Sequence, residues 1–171
     1  MLMYTLRVVN QMALGAMFPV KVVSKQVSSK WRCYPVDLDL FGHMNNSNYI
    51  RVAELSRWRM LAESGLFQFM MKRRLVFLLV EQQVTYARPI MPFQPYVVQT
   101  RVRIDEEDDK WVYYTHTFEE ANPPGGAEPM QYAKIEAKTV MKEPSGKTVR
   151  PSEVCAANPY YRNLMETVSS K

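Results

Sequence analysis

The sequence predicts an α+β fold: a curled antiparallel sheet of about five strands wrapped around one long central helix. Three observations predict it. One long helical pattern runs from about Ser47 to Ser64. Beyond it, apolar and polar residues alternate in stretches such as YVVQTRVRI (96–104) and YAKIEAKTVM (132–141). Turn-forming clusters separate these stretches, notably EEDD (106–109), NPPGGAEP (122–129) and EPSGK (143–147), so successive strands run antiparallel. An antiparallel sheet with one apolar face needs a cover for it. Residues 47–64 form the only long helix available, so the sheet must curl around that helix.

A chain of 171 residues suggests one domain. With 47% hydrophobic and 23% charged residues, it holds enough apolar material for one sizeable core. The net charge of +5 is unevenly placed. Arg7, Lys21, Lys25, Lys30 and Arg32 lie in residues 1–36, which contain no acid, and the rest of the chain is balanced. A nucleic-acid partner would call for a basic face on the folded body, and none is expected. The short run Lys72-Arg73-Arg74 is read as a solvated helix end. Cys33 and Cys155 have no paired spacing and are read as unpaired thiols in a reducing compartment.

The elements follow in order. Residues 1–29 form an apolar, acid-free arm. Leu2, Leu6, Val9, Ala13, Met17 and Val20 recur at helical steps, with Arg7, Asn10 and Gln11 off the stripe. Three readings stay open for it: a mitochondrial targeting segment, a membrane-surface helix through residues 1–20, or a helix packed on the protein's own body. The absence of acids points to a mitochondrial location, with a cytoplasmic one as the alternative. A body domain spans 30–155. WRCYPVDLD (31–39) reads as a short strand, which would set Asp37 and Asp39 on the same side. A turn at Gly42 leads to the long helix, for which Asn45 and Asn46 are good caps and Gly65 a natural stop. A second helix covers Leu66–Arg73. LVFLLVEQQVTYARPI (75–90) begins as an apolar run and continues as a strand. WVYYTHTFEEA is the next strand, where His116 reads as structural. Residues 156–171 form a C-terminal tail, with a short helix over Pro159–Val168.

The stretch DLDLFGHMNN (37–46) carries the chemistry. A helix N-terminus supplies unpaired N–H groups and a positive dipole end, both suited to a developing oxyanion. A carboxylate on the turn just before it reaches the same carbonyl. The spacing Asp39–Gly42–Asn46 therefore suits attack on an acyl group. Asp37 reads as a partner for a nearby Arg or backbone N–H, and Glu54 as an ion-pair partner of Arg51 and Arg57. Ser47 lacks a triad, and no phosphate-binding glycine loop or metal-type Cys/His cluster occurs.

The pattern Asp37-x-Asp39-x-x-Gly42-His43-Met44-Asn45-Asn46-x-x-Tyr49, with Tyr86-x-x-Pro89 closing the first long strand, resembles the hotdog-fold thioesterases, in the branch similar to 4-hydroxybenzoyl-CoA thioesterase. The resemblance covers about residues 30–155. It implies an acyl-CoA thioesterase with no metal or cofactor, coenzyme A being part of the substrate and an acyl-carrier-protein thioester the alternative. It implies Asp39 as nucleophile or general base, the Asn46 backbone N–H as oxyanion donor, and Gly42 as the sharp turn that keeps the thioester unobstructed. In related plant enzymes a histidine at the place of His43 works with an asparagine two residues earlier. Here that residue is Phe41, so His43 is taken as support. Tyr49 is placed among the substrate-binding residues, although scaffold is its simpler role. Arg88, Arg101 and Arg103 are candidates for the coenzyme A nucleotide. A homodimer or dimer of dimers is implied, with the acyl groove at the seam. The alternative function is a non-catalytic hotdog domain that binds acyl-CoA or a partner protein.

Overall fold

A computed structural model describes residues 2–17, 26–64, 66–105 and 107–157. Helix α1 (Leu2–Met17) precedes strand β1 (Gln26–Arg32). Helices α2 (Asn46–Glu63) and α3 (Leu66–Arg73) follow, then strands β2 (Val76–Tyr86), β3 (Pro95–Ile104), β4 (Trp111–Glu120) and β5 (Gln131–Lys142). A two-residue strand β6 (Thr148–Val149) and helix α4 (Pro151–Ala157) end the described chain. The Pro159–Val168 helix and the Gly65 stop expected from sequence lie outside the described residues.

All strands pair antiparallel in one sheet of order β1-β3-β4-β5-β2, with β6 added to β5. β3, β4 and β5 form a meander, and the two strands that precede it in sequence take the two edges. The alternation read from sequence sets the faces. Val98, Thr100 and Ile104, then Val112, Tyr114, His116 and Phe118, then Ala133, Ile135, Ala137 and Thr139 are buried on the concave side. This is the hotdog arrangement, with α2 as its filling.

Helix α2 begins where its cap chemistry says it should. The Asn45 side chain accepts from the Ser47 N–H at 2.9 Å, satisfying one of the donors that a helix start leaves orphaned. Val52, Ala53 and Tyr49 enter a core with Met44, Ile90, Tyr96, Val98, Phe118 and Ile135. A polar clasp also ties α2 to β1. The Ser29 and Ser56 hydroxyls meet at 3.0 Å, and the Trp31 indole N–H donates to Ser29 Oγ at 2.8 Å.

Two expectations need correction. The first strand occupies 26–32, so it starts inside the segment assigned to the arm and ends before Pro35. Proline fixes its φ and lacks an N–H, and Pro35–Asp37 forms a 3-10 turn instead. Asp37 and Asp39 therefore do not share a strand face. The second concerns the arm. Helix α1 packs on α2, which is the third of the readings above, but not through the apolar stripe. Leu6 and Val9 are more than half exposed, whereas Gln11 is buried and Arg7 turns in toward the body. No helix among the described residues is long and apolar enough to cross a membrane.

Candidate active site

The chain between β1 and α2 folds into a tight loop closed by a bridge between Leu38 and Met44. The Asp39 N–H donates to the His43 carbonyl at 2.9 Å, and the Gly42 N–H donates back to the Asp39 carbonyl at 3.2 Å. Gly42 holds φ +77°, a left-handed value that glycine adopts without penalty. A Cβ there would meet no atom within 4 Å, so the requirement for glycine is conformational and not a matter of clearance within this chain.

Asp39 stands at the mouth of this loop. Its Oδ1 accepts from the Phe41 N–H at 2.9 Å, and its Oδ2 lies 3.4 Å from His43 Nδ1. The side chain keeps a fifth of its surface exposed and has no Arg or Lys partner among the described residues. His43 Nδ1 also approaches the Met44 carbonyl at 3.3 Å. The two aspartates thus separate in function. Asp37 is buried, bonded to Arg7 at 3.0 Å and to the Tyr34 N–H at 3.0 Å. It holds structure, while Asp39 stays available.

The amides at the start of α2 complete the site. The Ser47 N–H is taken by the Asn45 side chain and the Asn48 N–H by the Asn45 carbonyl at 2.9 Å. The Asn46 N–H has no acceptor among the described residues. The Asn46 carbonyl accepts from the Tyr86 hydroxyl at 3.2 Å, and the Asn48 side chain donates to the Asp37 carbonyl at 2.8 Å. The helix start is therefore anchored from both sides, leaving one bare amide shortly after the part-exposed Asp39 carboxylate in the chain.

Other expected site residues fall elsewhere. Tyr49 is buried, and its hydroxyl accepts from the Ile90 N–H at 3.1 Å. Burial raises its pKa to about 12. It is scaffold, which corrects its placement among the substrate-binding residues. Arg101 and Arg103 lie on the convex face of the sheet, away from α2. Arg101 Nε donates to Gln26 Oε1 at 2.7 Å, and the Arg103 guanidinium sits 4.3 Å over the Tyr113 ring. The fold does not bring either to the Asp39 loop. Arg88 is exposed and lies two residues beyond Tyr86, whose hydroxyl meets the Asn46 carbonyl. Glu54 forms no ion pair among the described residues. Arg51 donates to Asn48 at 2.8 Å instead, and Arg57 lies over the Tyr114 ring at 5.5 Å. Asp37 pairs with an Arg and a backbone N–H as the sequence reading expected, but that reading did not name Arg7 and missed the Tyr86 contact to Asn46, because both join segments far apart in the chain.

A cleft of about 210 Å³ lies between α2 and the sheet, lined by residues of α2, β2, β4 and β5 that include Ile50 and His116. A capped helix start with a carboxylate before it, set against a curled sheet, defines a hotdog domain of thioesterase type. The chain belongs to the Thioesterase-like superfamily, whose sequence pattern matches residues 33–156.

Two relatives named Protein THEM6 match the chain. Protein THEM6 of Drosophila melanogaster is 32% identical over 117 residues, covering 67% of this chain and 60% of the relative. Protein THEM6 of Xenopus laevis is 32% identical over 99 residues, covering 58% and 47%. The chain thus spans about half to three fifths of the length of these relatives. The solved structure of a 4-hydroxybenzoyl-CoA thioesterase superposes with a TM-score of 0.66 at 16% identity, over 82% of this chain and 99% of that one. It shares the fold.

Proposed function

We propose that the protein is an acyl-CoA thioesterase, hydrolysing a thioester to a free acid and the coenzyme A thiol. The observation that carries this reading is that one stretch, 37–46, holds both the part-exposed Asp39 carboxylate, its Oδ2 contacted by His43 alone among the described residues, and the Asn46 N–H, which has no acceptor among them. Membership of the superfamily supports it. In this reading the thioester carbonyl oxygen takes the Asn46 N–H. Asp39 Oδ2 attacks the carbon, expelling thiolate and leaving a mixed anhydride that water opens; alternatively it draws a proton from the attacking water. The Phe41 N–H holds the other carboxylate oxygen, which fixes the direction of attack. A preorganised donor of the Asn46 kind lowers the barrier by about 3 kcal/mol.

We infer further that the working unit is a homodimer paired through β2. That strand is a sheet edge, and Val76, Leu78, Leu79 and Val80 are about half exposed along it. A long apolar edge invites a second strand, and a second copy would also wall the cleft beside α2. Arg88 is the cation best placed to meet the nucleotide. The outward Leu6 and Val9 keep a membrane surface open as a docking place for α1.

The test is thiol release from short, medium, long and aromatic acyl-CoAs by the parent and by Asp39→Asn. The substitution removes the charge while its amide oxygen can still accept from the Phe41 N–H. Turnover is expected to fall by about 100- to 10,000-fold with the thermal midpoint nearly unchanged. Equal rates would remove Asp39 from its role, and saturable binding with no turnover on any chain would favour the non-catalytic alternative.

A further inference from the structure

Helix α1 packs on the body through its polar side. Leu6 and Val9 are each more than half exposed, while Gln11 is 8% exposed and Arg7 turns inward to Asp37. An amphipathic helix ordinarily covers a core with its apolar stripe, and burying polar groups costs free energy unless they find partners. The Arg7 guanidinium has one in Asp37. Gln11 does not, for its Oε1 is buried with no partner among the described residues. Few buried amides in a folded protein are left in that state.

Both residues line one cavity of about 560 Å³, a size that suits a small-molecule site. Arg7, Asn10 and Gln11 supply its α1 wall. Another wall is the end of the sheet, where Trp31 pairs with Tyr96 and Arg32 with Pro95. β1 is the sheet edge opposite β2, so this cavity is separate from the cleft of Ile50 and His116, and it holds neither Asp39 nor Asn46. Its lining includes three cations, Arg7, Lys30 and Arg32, against one carboxylate, Asp37. Asp37 is taken by Arg7. Arg32 donates to the neutral Phe93 carbonyl at 2.6 Å, and neither it nor Lys30 forms an ion pair among the described residues. Both are exposed, so they act as rim groups. The cavity therefore carries a surplus of two positive charges.

We propose that the cavity between α1 and the β1 end of the sheet is a binding site for a soluble phosphate monoester of a sugar or other polyol. A phosphate monoester carries close to two negative charges at neutral pH, which matches the surplus, and Arg and Lys hold its oxygens through charge-assisted hydrogen bonds. The polyol end answers the orphan amide. The last torsion of a glutamine is soft, and a hydroxyl both donates and accepts, so it serves the Gln11 amide whichever end turns to the cavity. A plain carboxylate supplies one charge and no hydroxyl, and matches neither feature. An occupant that bridges α1 and the sheet accounts for a helix that keeps its polar side inward. The site goes beyond the thioesterase reading and needs no turnover.

The test is calorimetry of the full chain with ribose 5-phosphate, myo-inositol 1-phosphate, ribose and inorganic phosphate, beside flotation with phosphatidylcholine vesicles that contain phosphatidylinositol 4-phosphate. At least one soluble ester is expected to bind with a Kd of about 1 mM or tighter, and ribose and inorganic phosphate about tenfold more weakly or worse. Two variants locate the site. Gln11→Leu should weaken the ester about tenfold while the thermal midpoint holds or rises, because an orphan polar group has gone. Lys30→Gln, at an exposed position, should weaken it as well and flatten its salt dependence. Arg88→Gln, at the candidate coenzyme A end, should leave it unchanged. No binding of either ester, inorganic phosphate binding as tightly as the esters, affinity unchanged in both cavity variants, or affinity lost in Arg88→Gln overturns the proposal. Binding to the vesicles alone overturns the soluble ligand in favour of a lipid head group. Thiol release without ester binding sinks this inference and spares hydrolysis, and ester binding without thiol release does the reverse.

Discussion

Arg7 and Asp37, thirty residues apart, join the N-terminal helix to the loop that carries Asp39: the guanidinium donates to a carboxylate that is almost wholly buried, at 3.0 Å. Removing the arginine leaves a buried carboxylate with, among the described residues, only the Tyr34 N–H to hold it. Arg7→Met is expected to destabilise the fold by about 1–3 kcal/mol, read as a lower urea midpoint. Asp37→Asn in the Arg7→Met background should recover part of the loss, since the stranded charge is then gone. Additive losses would mean that the contact contributes nothing.

Gly42 offers a second check, because space and conformation separate there. No atom obstructs a side chain, so only the left-handed φ opposes one. Gly42→Ala should cost about 1–2 kcal/mol and Gly42→Asn less, because asparagine tolerates that region. Urea titrations of the two variants give the order, and an alanine variant as stable as the parent would show that the loop does not need this turn.

The exposed edge of the sheet makes a claim about assembly. Val80 is 54% exposed on β2, where a lysine would place a charge in any strand-to-strand seam. Val80→Lys is expected to convert a dimer to a folded monomer by light scattering, with circular dichroism unchanged and activity reduced. A parent that is already monomeric at working concentration would refute the dimer.

The pH dependence of stability follows from His116. Its folded pKa of about 3 lies below the ordinary value of 6.5, first because of burial and then because the Arg57 charge is near. Between those values the unfolded chain takes up a proton that the folded protein refuses. The contribution of this group is thus full above pH 6.5 and declines as pH falls toward 3, with a slope of up to about 1.4 kcal/mol per pH unit. Urea midpoints from pH about 7 down to about 5 should fall less steeply in the His116→Phe, Thr100→Val double variant, which removes the ring together with the Thr100 hydroxyl 3.0 Å from its Nδ1. Parallel curves would place the proton uptake elsewhere.

The parts of the molecule legible in the sequence are those whose causes are local. Asn45 caps α2 through a residue two positions on, and the alternation over 132–141 sets its own faces. The errors lie where a distant partner reverses a local preference. Ser29 looks like a surface residue but is 1% exposed, because Ser56 and Trp31 satisfy its hydroxyl, and this hid the alternation of β1. Arg7 and Gln11 looked like the solvent side of α1 but face inward, Arg7 because Asp37 awaits it. Arg101 and Arg103 were drawn toward the site by charge alone, and pleat parity puts them on the other side of the sheet. At the site itself, the turn at Gly42 and the Asn45 cap were readable from 37–46. The state of buried His116 was not, since its Nδ1 takes its partner, Thr100, from a neighbouring strand and its Nε2 has none among the described residues.

The strand order has a consequence for biosynthesis. The two edge strands, with α2 and α3 between them, are synthesised before the meander they must join, 95–142. A growing chain cut off anywhere before β5 has no template for β2, whose apolar residues then stand bare. Its sheet must close after synthesis, and within the cell the nascent protein needs sheltering from its neighbours until the final hairpin arrives.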